Sequence, residues 1–445
     1  MKILAFLCLI TLSISNSQEA NAMPVRSAGG WSVAVGPGSV LINKRSVKVP
    51  HEVTIKVTAP EVITIRDEMH GSLPLFNSAA GGWMKGVRLD KLITQECSAT
   101  GLLAPDSVVV KSSAGASTQF VLGKDYQLDP LWATLGRLPD GQIKPDQPVY
   151  IDYIYNPSRL DSIVVGKDGK VMLVEGKSAV ECPMPPSLPV GTVAIANIWL
   201  PGPIKEITDE NIFPIEVLAN PALSANAATA ARTLPKTLAK LRAGGQVTVV
   251  AWGDSVTAGG GAAQVADWYQ NQFLNLLQKR YPKATIILKT AAWPGGNSQG
   301  YLDSPADAPH NYQRDVLDPK PDLVTIEFVN DSYMNEVQTI EHYTGILKRL
   351  HEAGAEVILI TPHLVRPDWL GVSSLKFDKD PRPYVQGLHT FAAKENIALA
   401  DASAGWLHLW REGIPYVTLL ANSINHPDSR GHMLFARTLI DLFPR

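Results

Sequence analysis

The chain has 445 residues, is 45% hydrophobic and 18% charged, and carries a formal net charge of −2 from 40 basic and 42 acidic side chains. That length calls for two domains, and the apolar fraction excludes a disordered chain, because enough surface is available for burial to offset ordering entropy. Near-neutrality without a basic run excludes nucleic acid or an anionic membrane surface as the main partner.

Lys2 is followed by an apolar stretch from Ile3 to about Ile14, and Ala20-Asn21-Ala22 supplies a small-x-small cleavage site. This is the layout of a secretory signal peptide over residues 1–22. Its apolar stretch is shorter than the roughly 18 residues that span a bilayer. The expectation is a secreted or periplasmic protein, free of the membrane after cleavage. Cys8 leaves with the signal, so Cys97 and Cys182 remain as a candidate disulfide, the alternative being two separate buried thiols. No Cys/His cluster and no H-E-x-x-H motif is present, so neither a metal nor another cofactor is expected.

Residues 23–200 read as a β-rich accessory domain. Ser32–Val35, Val53–Val57, Val62–Ile65 and Ser107–Val110 favour β-branched residues, and Val149–Tyr155 alternates like a half-buried strand. Turn signals such as Asp140-Gly141 fall between them. A β-sandwich is the expected architecture, as one unit or two small modules. The proline-punctuated stretch 201–221 reads as a linker. From residue 222 to 445 the pattern alternates, with strands at Val247–Trp252, Thr285–Lys289, Leu323–Phe328, Val357–Ile360 and Ile397–Ala400. Helical stretches lie at 222–241, 263–280, 335–353, 383–395 and about 430–443. Such alternation predicts a parallel sheet covered on both faces, with chemistry beyond the carboxyl ends of its strands.

Those ends carry the candidate site. The first strand runs into Gly253-Asp254-Ser255, placing Ser255 in the turn toward a helix, where a hydroxyl is exposed near free amides. Gly-Asp-Ser alone is a weak signal. The second strand leads into Trp293-Pro294-Gly295-Gly296, the third into Phe328-Val329-Asn330-Asp331, and Asn425-His426-Pro427-Asp428 opens the last helix. Four elements in this order are far more specific.

With these motifs the sequence resembles the SGNH (GDSL-type) hydrolase family over about residues 230–445. The resemblance implies a three-layer α/β/α fold of flavodoxin type. It also implies Ser255 as nucleophile, His426 as base, and an oxyanion site made by the Ser255 and Gly295 amides with the Asn330 side chain. Two departures stand out. Phe328 replaces the glycine the family writes two residues before its asparagine, which is expected to reshape the pocket wall. Ser423 occupies the place, three residues before the histidine, where the family has aspartate. Removing the orienting acid of a serine triad costs roughly 10⁴-fold. Asn422 is the candidate substitute orienter, beside a backbone carbonyl; Asp428 is close in sequence for that task.

Trp252 and Trp293 flank the motifs and either line the pocket or pack the sheet. The long loop 362–384 mixes Arg366, Trp369, Arg382 and Tyr384, which suit a sugar ring, or else form a solvated insertion. His432 reads as packing rather than a ligand. The reading is an exported serine esterase removing short acyl groups, acetyl foremost, from a carbohydrate. Alternatives are a lipid or other carboxylesterase, an acyltransferase on the same acyl-enzyme, and a non-catalytic carbohydrate-binding protein on a decayed esterase scaffold.

Overall fold

The computed structural model describes residues 23–216 and 231–444. The expected signal peptide, with Cys8, and residues 222–230 of the expected first helix lie outside them.

The first half is built from antiparallel strands around two cores. One core gathers Val33, Val35, Val49, Ile163, Val165 and Ile198. It is covered by the sheet Val25–Ser27, Ser32–Val35, Val53–Lys56 and by the sheet Val171–Val174, Arg159–Gly166, Thr192–Leu200, Ile212–Pro214. The other gathers Leu89, Tyr126, Leu135, Val149, Ile151 and Tyr153. Its strands, from Ile63–His70 to Val149–Tyr155, fall in the chain between those of the first core. The β half is therefore two modules, the second inserted into the first. Val149–Tyr155 lies inside its sheet and is mostly buried, because Val149, Ile151 and Tyr153 enter the core and Asp152 is paired with Lys111.

The stretch expected as a linker is part of this half in its described portion. Ile212–Pro214 pairs with Ala196–Ile198 as an edge strand, where proline costs no ladder bond. The prolines that suggested a linker mark loops and a sheet edge instead.

The second half carries five parallel strands in the order Thr285–Ala292, Gln246–Gly253, Leu323–Glu327, Glu356–Ile360, Ala398–Ala400. Along the second of these, Val247 and Val249 enter one core with Phe273, Leu277, Phe435 and Leu439. Val250 and Trp252 enter the other with Tyr343, Ile346, Leu388 and Phe391. The alternation puts helices Tyr269–Arg280 and Ser429–Asp441 on one face and Glu336–Glu352 and Pro383–Glu395 on the other. Asn335 and Gln338 cap Glu336–Glu352 reciprocally. The helix expected from residue 263 begins only at Tyr269, after a 3₁₀ turn at Val265–Asp267.

Register places the site. Gly253 lies level with Ala292 on one side and Glu327 on the other, so three loops leave adjacent strands at one height. The β half docks beside them. Trp132, Cys97 and Ile424 form a small shared core with Trp83 against it, and the Arg366 guanidinium sits 4.4 Å above the Trp132 ring. Elsewhere Asn197 donates to the Gly413 carbonyl at 2.8 Å, and the Glu216 amide to that of Arg411 at 2.7 Å. Among the described residues no helix is long and apolar enough to cross a membrane.

Candidate active site

Ser255 sits in a run of tight turns after its strand, closed by Ala258 N–H to Asp254 O at 3.0 Å and Gly260 N–H to Ser255 O at 2.8 Å. The helix foreseen at this point is delayed by the three glycines that follow. Its hydroxyl lies 3.0 Å from His426 Nε2. The histidine arrives on the loop before the last helix, and Asn422 shapes that loop. Asn422 Oδ1 accepts the amides of Ile424, Asn425 and His426 at 3.0, 2.9 and 2.9 Å. Asn422 thus holds the backbone under His426 and does not touch the imidazole, contrary to the expected orienting role. Asp428 caps the last helix through Arg430 and Gly431 amides and pairs with Arg430.

The other imidazole nitrogen, Nδ1, faces the β half. Gln95 Oε1 lies 3.2 Å and Glu96 Oε2 3.3 Å from it. Neither residue carried a signal in sequence, since both sit about 330 positions away in a half without recognisable motifs. The only clue was negative, the lack of a carboxylate at Ser423.

The oxyanion candidates converge on the same edge. Gly295 has φ +75°, a left-handed turn position, and is exposed with open space beside it. Neither the Ser255 nor the Gly295 amide has an acceptor among the described residues. Asn330 donates one side-chain N–H to Gly296 O at 2.9 Å, leaving the other available, and its own amide bonds Asp254 Oδ2 at 3.0 Å. Asp331 ties the same loop to the glycine turn by accepting from Ser298 N at 3.1 Å, Ser298 Oγ at 2.5 Å and Tyr343 OH at 2.8 Å.

Burial sets the electrostatics. It holds His426 below the usual histidine range, opposed by the Glu96 carboxylate. It lifts Asp331 to about 6 against its hydrogen bonds, and raises Asp254 and Glu327 behind Ser255 as well. His432, buried and pushed down to about 4, donates Nε2–H to Gly260 O at 3.0 Å and accepts the Tyr269 amide. It packs the glycine loop, as expected.

The other sequence candidates divide. Trp252 is fully buried against Tyr301, Tyr312 and Phe328, so it packs the sheet instead of lining a pocket. Phe328 likewise turns into that aromatic core and does not reshape a wall. Arg382 is buried in a two-bond pair with Asp380, and Tyr384 is buried with its hydroxyl 2.7 Å from that of Tyr343. Neither is placed to meet a substrate; the 362–384 loop has its own polar core, in which Arg382 holds Asp380 and the Pro362 carbonyl. Trp293 stacks on His310 at 5.0 Å and remains half-buried, Arg366 is buried under Trp132, and Trp369 is exposed. Cys97 and Cys182 are free thiols: Cys97 bonds the Asn422 carbonyl, and Cys182 lies toward Asp428 and Arg430.

Glu68, His70 and Asp90 bring three ligand atoms together in the β half, apart from this edge. Glu68 is already satisfied there by His70, Tyr153 and the Asp90 amide.

Among solved structures, a two-domain esterase active on acetylated mannans is similar at 20% identity and TM-score 0.38 over 47% of this chain, which spans 51% of that protein. An acetylxylan esterase from Geobacillus stearothermophilus is similar at 19% identity and TM-score 0.36, over 45% of this chain and 95% of that one. An acetyl xylan esterase matches at 20% identity and TM-score 0.35, over 43% and 98%. No curated protein matches the chain in sequence. Residues 251–434 match the model of the GDSL-like lipase/acylhydrolase family, and the α/β domain that carries Ser255, Asn330 and His426 belongs to that family, the SGNH hydrolases.

Proposed function

We propose that this protein is an exported serine esterase that removes short acyl groups, acetyl foremost, from a carbohydrate. The observation that carries the reading is the 3.0 Å approach of Ser255 Oγ to His426 Nε2 at the strand ends, beside two amides that have no acceptor among the described residues. An imidazole in this relation to a hydroxyl activates it as a nucleophile.

The chemistry runs in two balanced steps. Ser255 Oγ bonds to the ester carbonyl carbon while its proton passes to His426 Nε2, and the carbonyl electron pair moves onto oxygen. The Ser255 and Gly295 N–H groups and the free Asn330 amide hydrogen are the donors available to that oxyanion. Collapse breaks the bond to the sugar oxygen, which leaves with the proton from His426. Water then repeats the sequence on the acyl-enzyme and releases the carboxylic acid.

Three features support the substrate class. The chain has almost no net charge, in keeping with a substrate that is not ionic. Trp369 and Tyr333 are exposed in segments that follow sheet strands, and aromatic faces of this kind suit a sugar ring. The signal-like first 22 residues favour export, where acylated glycans are met. The test is hydrolysis of chromogenic acetyl and longer acyl esters by wild type, Ser255→Ala and His426→Ala. Acetyl release lost in both variants, with rates falling as the chain lengthens, is expected. Equal activity in wild type and Ser255→Ala would overturn the enzyme reading, and faster turnover of long chains would make the protein a lipase.

A further inference from the structure

We propose that Glu96, with Gln95 beside it, completes the Ser255–His426 relay from the β half, so that the two halves of the chain share one catalytic apparatus. The proposal rests on the serine-esterase reading and deepens it by assigning what positions the base.

A neutral imidazole has one N–H and one bare nitrogen, and what faces each nitrogen decides which is which. At Nδ1 both neighbours are oxygen acceptors, the amide of Gln95 at 3.2 Å and the carboxylate of Glu96 at 3.3 Å. They favour the proton on Nδ1, which leaves the Nε2 lone pair for the Ser255 hydroxyl. When that hydroxyl gives up its proton, the imidazolium formed meets a carboxylate at contact distance. This is the work of the acid in a serine triad.

The α/β half offers no substitute among its described residues. Ser423 is not a carboxylate and lies in a left-handed conformation at φ +57°. The Asn422 side chain is spent on three backbone amides, and Asp428 on the helix cap and Arg430.

The β half presents the two acceptors on a built turn. Ile93 bridges Ser98, the Thr94 amide bonds Cys97 O at 2.9 Å, and the Ala99 amide bonds Leu92 O at 2.8 Å. Gln95 and Glu96 form the exposed tip, while Thr94 and Cys97 are buried beneath it. Arg88 clamps the turn from its own module through Glu96 O at 2.7 Å. From the other side Cys97 Sγ donates to Asn422 O at 2.5 Å, the same Asn422 whose side chain shapes the His426 loop. Acceptor and base are thus fixed to one residue.

Glu96 is 57% exposed, unlike a buried triad acid, so water screens its charge. The effect of losing it is correspondingly smaller than the roughly 10⁴-fold of a buried aspartate.

The test uses the full chain with Glu96→Gln, Glu96→Asp and the double variant Gln95→Ala/Glu96→Ala. Glu96→Gln is expected to lower kcat on an acetyl ester about 10-fold, and the double variant about 10²-fold, with KM and thermal unfolding little changed. Glu96→Asp restores part of the loss. His426 titration, followed by NMR, is expected to move to lower pH in Glu96→Gln, which a merely structural residue would not cause. Phosphonylation of Ser255 by a fluorophosphonate probe reports activation without any ester and should slow in parallel. Wild-type phosphonylation and unchanged His426 titration in the double variant would overturn the relay. Absent ester turnover with phosphonylation that still depends on Glu96 would instead overturn the esterase reading and leave the relay standing. No phosphonylation of the wild type would overturn both.

Discussion

The Cys97 thiol donates to the Asn422 carbonyl at 2.5 Å, and both residues are buried, so the bond joins the turn of one half to the histidine loop of the other. A neutral thiol suits this place, since burial raises the Cys97 thiol above its ordinary range. Cys97→Ala leaves a buried carbonyl without its donor, a loss of roughly 1–3 kcal/mol. The expected outcome is a modestly lowered unfolding temperature together with a reduced kcat, because the same bond sets the distance between the turn and His426. Cys97→Ser, which keeps a donor, retains more of both. Thermal unfolding and ester turnover measured on the two variants decide it.

Gly260 tests how closely the base is confined. A Cβ there would stand 2.9 Å from His426 Nδ1, 3.0 Å from its Cδ2 and 2.9 Å from Ser255 O. Two of those three atoms belong to the imidazole, so Gly260→Ala displaces the base from the nucleophile before it disturbs the sheet. A misplacement of about 1 Å at a reacting group costs on the order of 10²-fold. A kcat lowered by that order with a near-native unfolding temperature is expected, and a variant with wild-type kcat would show the imidazole free to move aside.

Asn330 is the side-chain member of the proposed oxyanion set. Asn330→Ala should lower kcat roughly 10²–10³-fold with little change in KM, because the donor acts on charge that appears only in the transition state. The substitution also removes the bond to Gly296 O. Loss confined to KM would place Asn330 in ground-state binding instead.

The sheet was legible because its strands are buried on both faces and read as apolar runs. All five expected strands appear, most within a residue or two of their expected ends. The residues proposed as nucleophile and oxyanion donors were legible for a related reason: each stands just beyond the end of one such run, while the proposed base was legible from the motif that opens the last helix. The third member of the relay was not. Gln95 and Glu96 are polar residues on a turn tip, and only the docking of two halves around Trp132, Cys97 and Ile424 gives them meaning. Loop aromatics misled in the opposite direction. Trp252 and Tyr384 look available in sequence, yet their rings fill the layers under the sheet. Residues 201–216 misled too, since prolines at a sheet edge resemble prolines in a linker.

Arg382 separates the structural reading of the 362–384 loop from a substrate-binding one. Its guanidinium holds Asp380 through Nε at 2.9 Å and Nη2 at 2.6 Å, and Asp380 also accepts the Ser403 hydroxyl at 2.6 Å. Arg382→Ala strands a buried carboxylate, at a cost of roughly 3–5 kcal/mol. A large fall in unfolding temperature is expected, with KM unchanged at temperatures where the variant stays folded. A raised KM without destabilisation would return Arg382 to the substrate.

The pH profile follows from His426. The base must be neutral to accept the Ser255 proton, so kcat/KM rises with pH through the His426 pKa and is flat above it. Burial favours the neutral imidazole and moves that pKa below the ordinary 6.5, while the Glu96 carboxylate pulls it back upward. Two further histidines have electrostatic contact with His426: His432, pushed down to about 4, and His363, held well below the usual range by burial. Burial favours the neutral form of both. The acid limb of kcat/KM is therefore expected below pH 6.5, with the slope of a single proton, and removing the Glu96 charge moves it further to acid. A limb unmoved or displaced upward in Glu96→Gln would mean that the carboxylate does not face the base in solution as it does here, and a midpoint above 6.5 in the wild type would mean that burial does not outweigh the carboxylate.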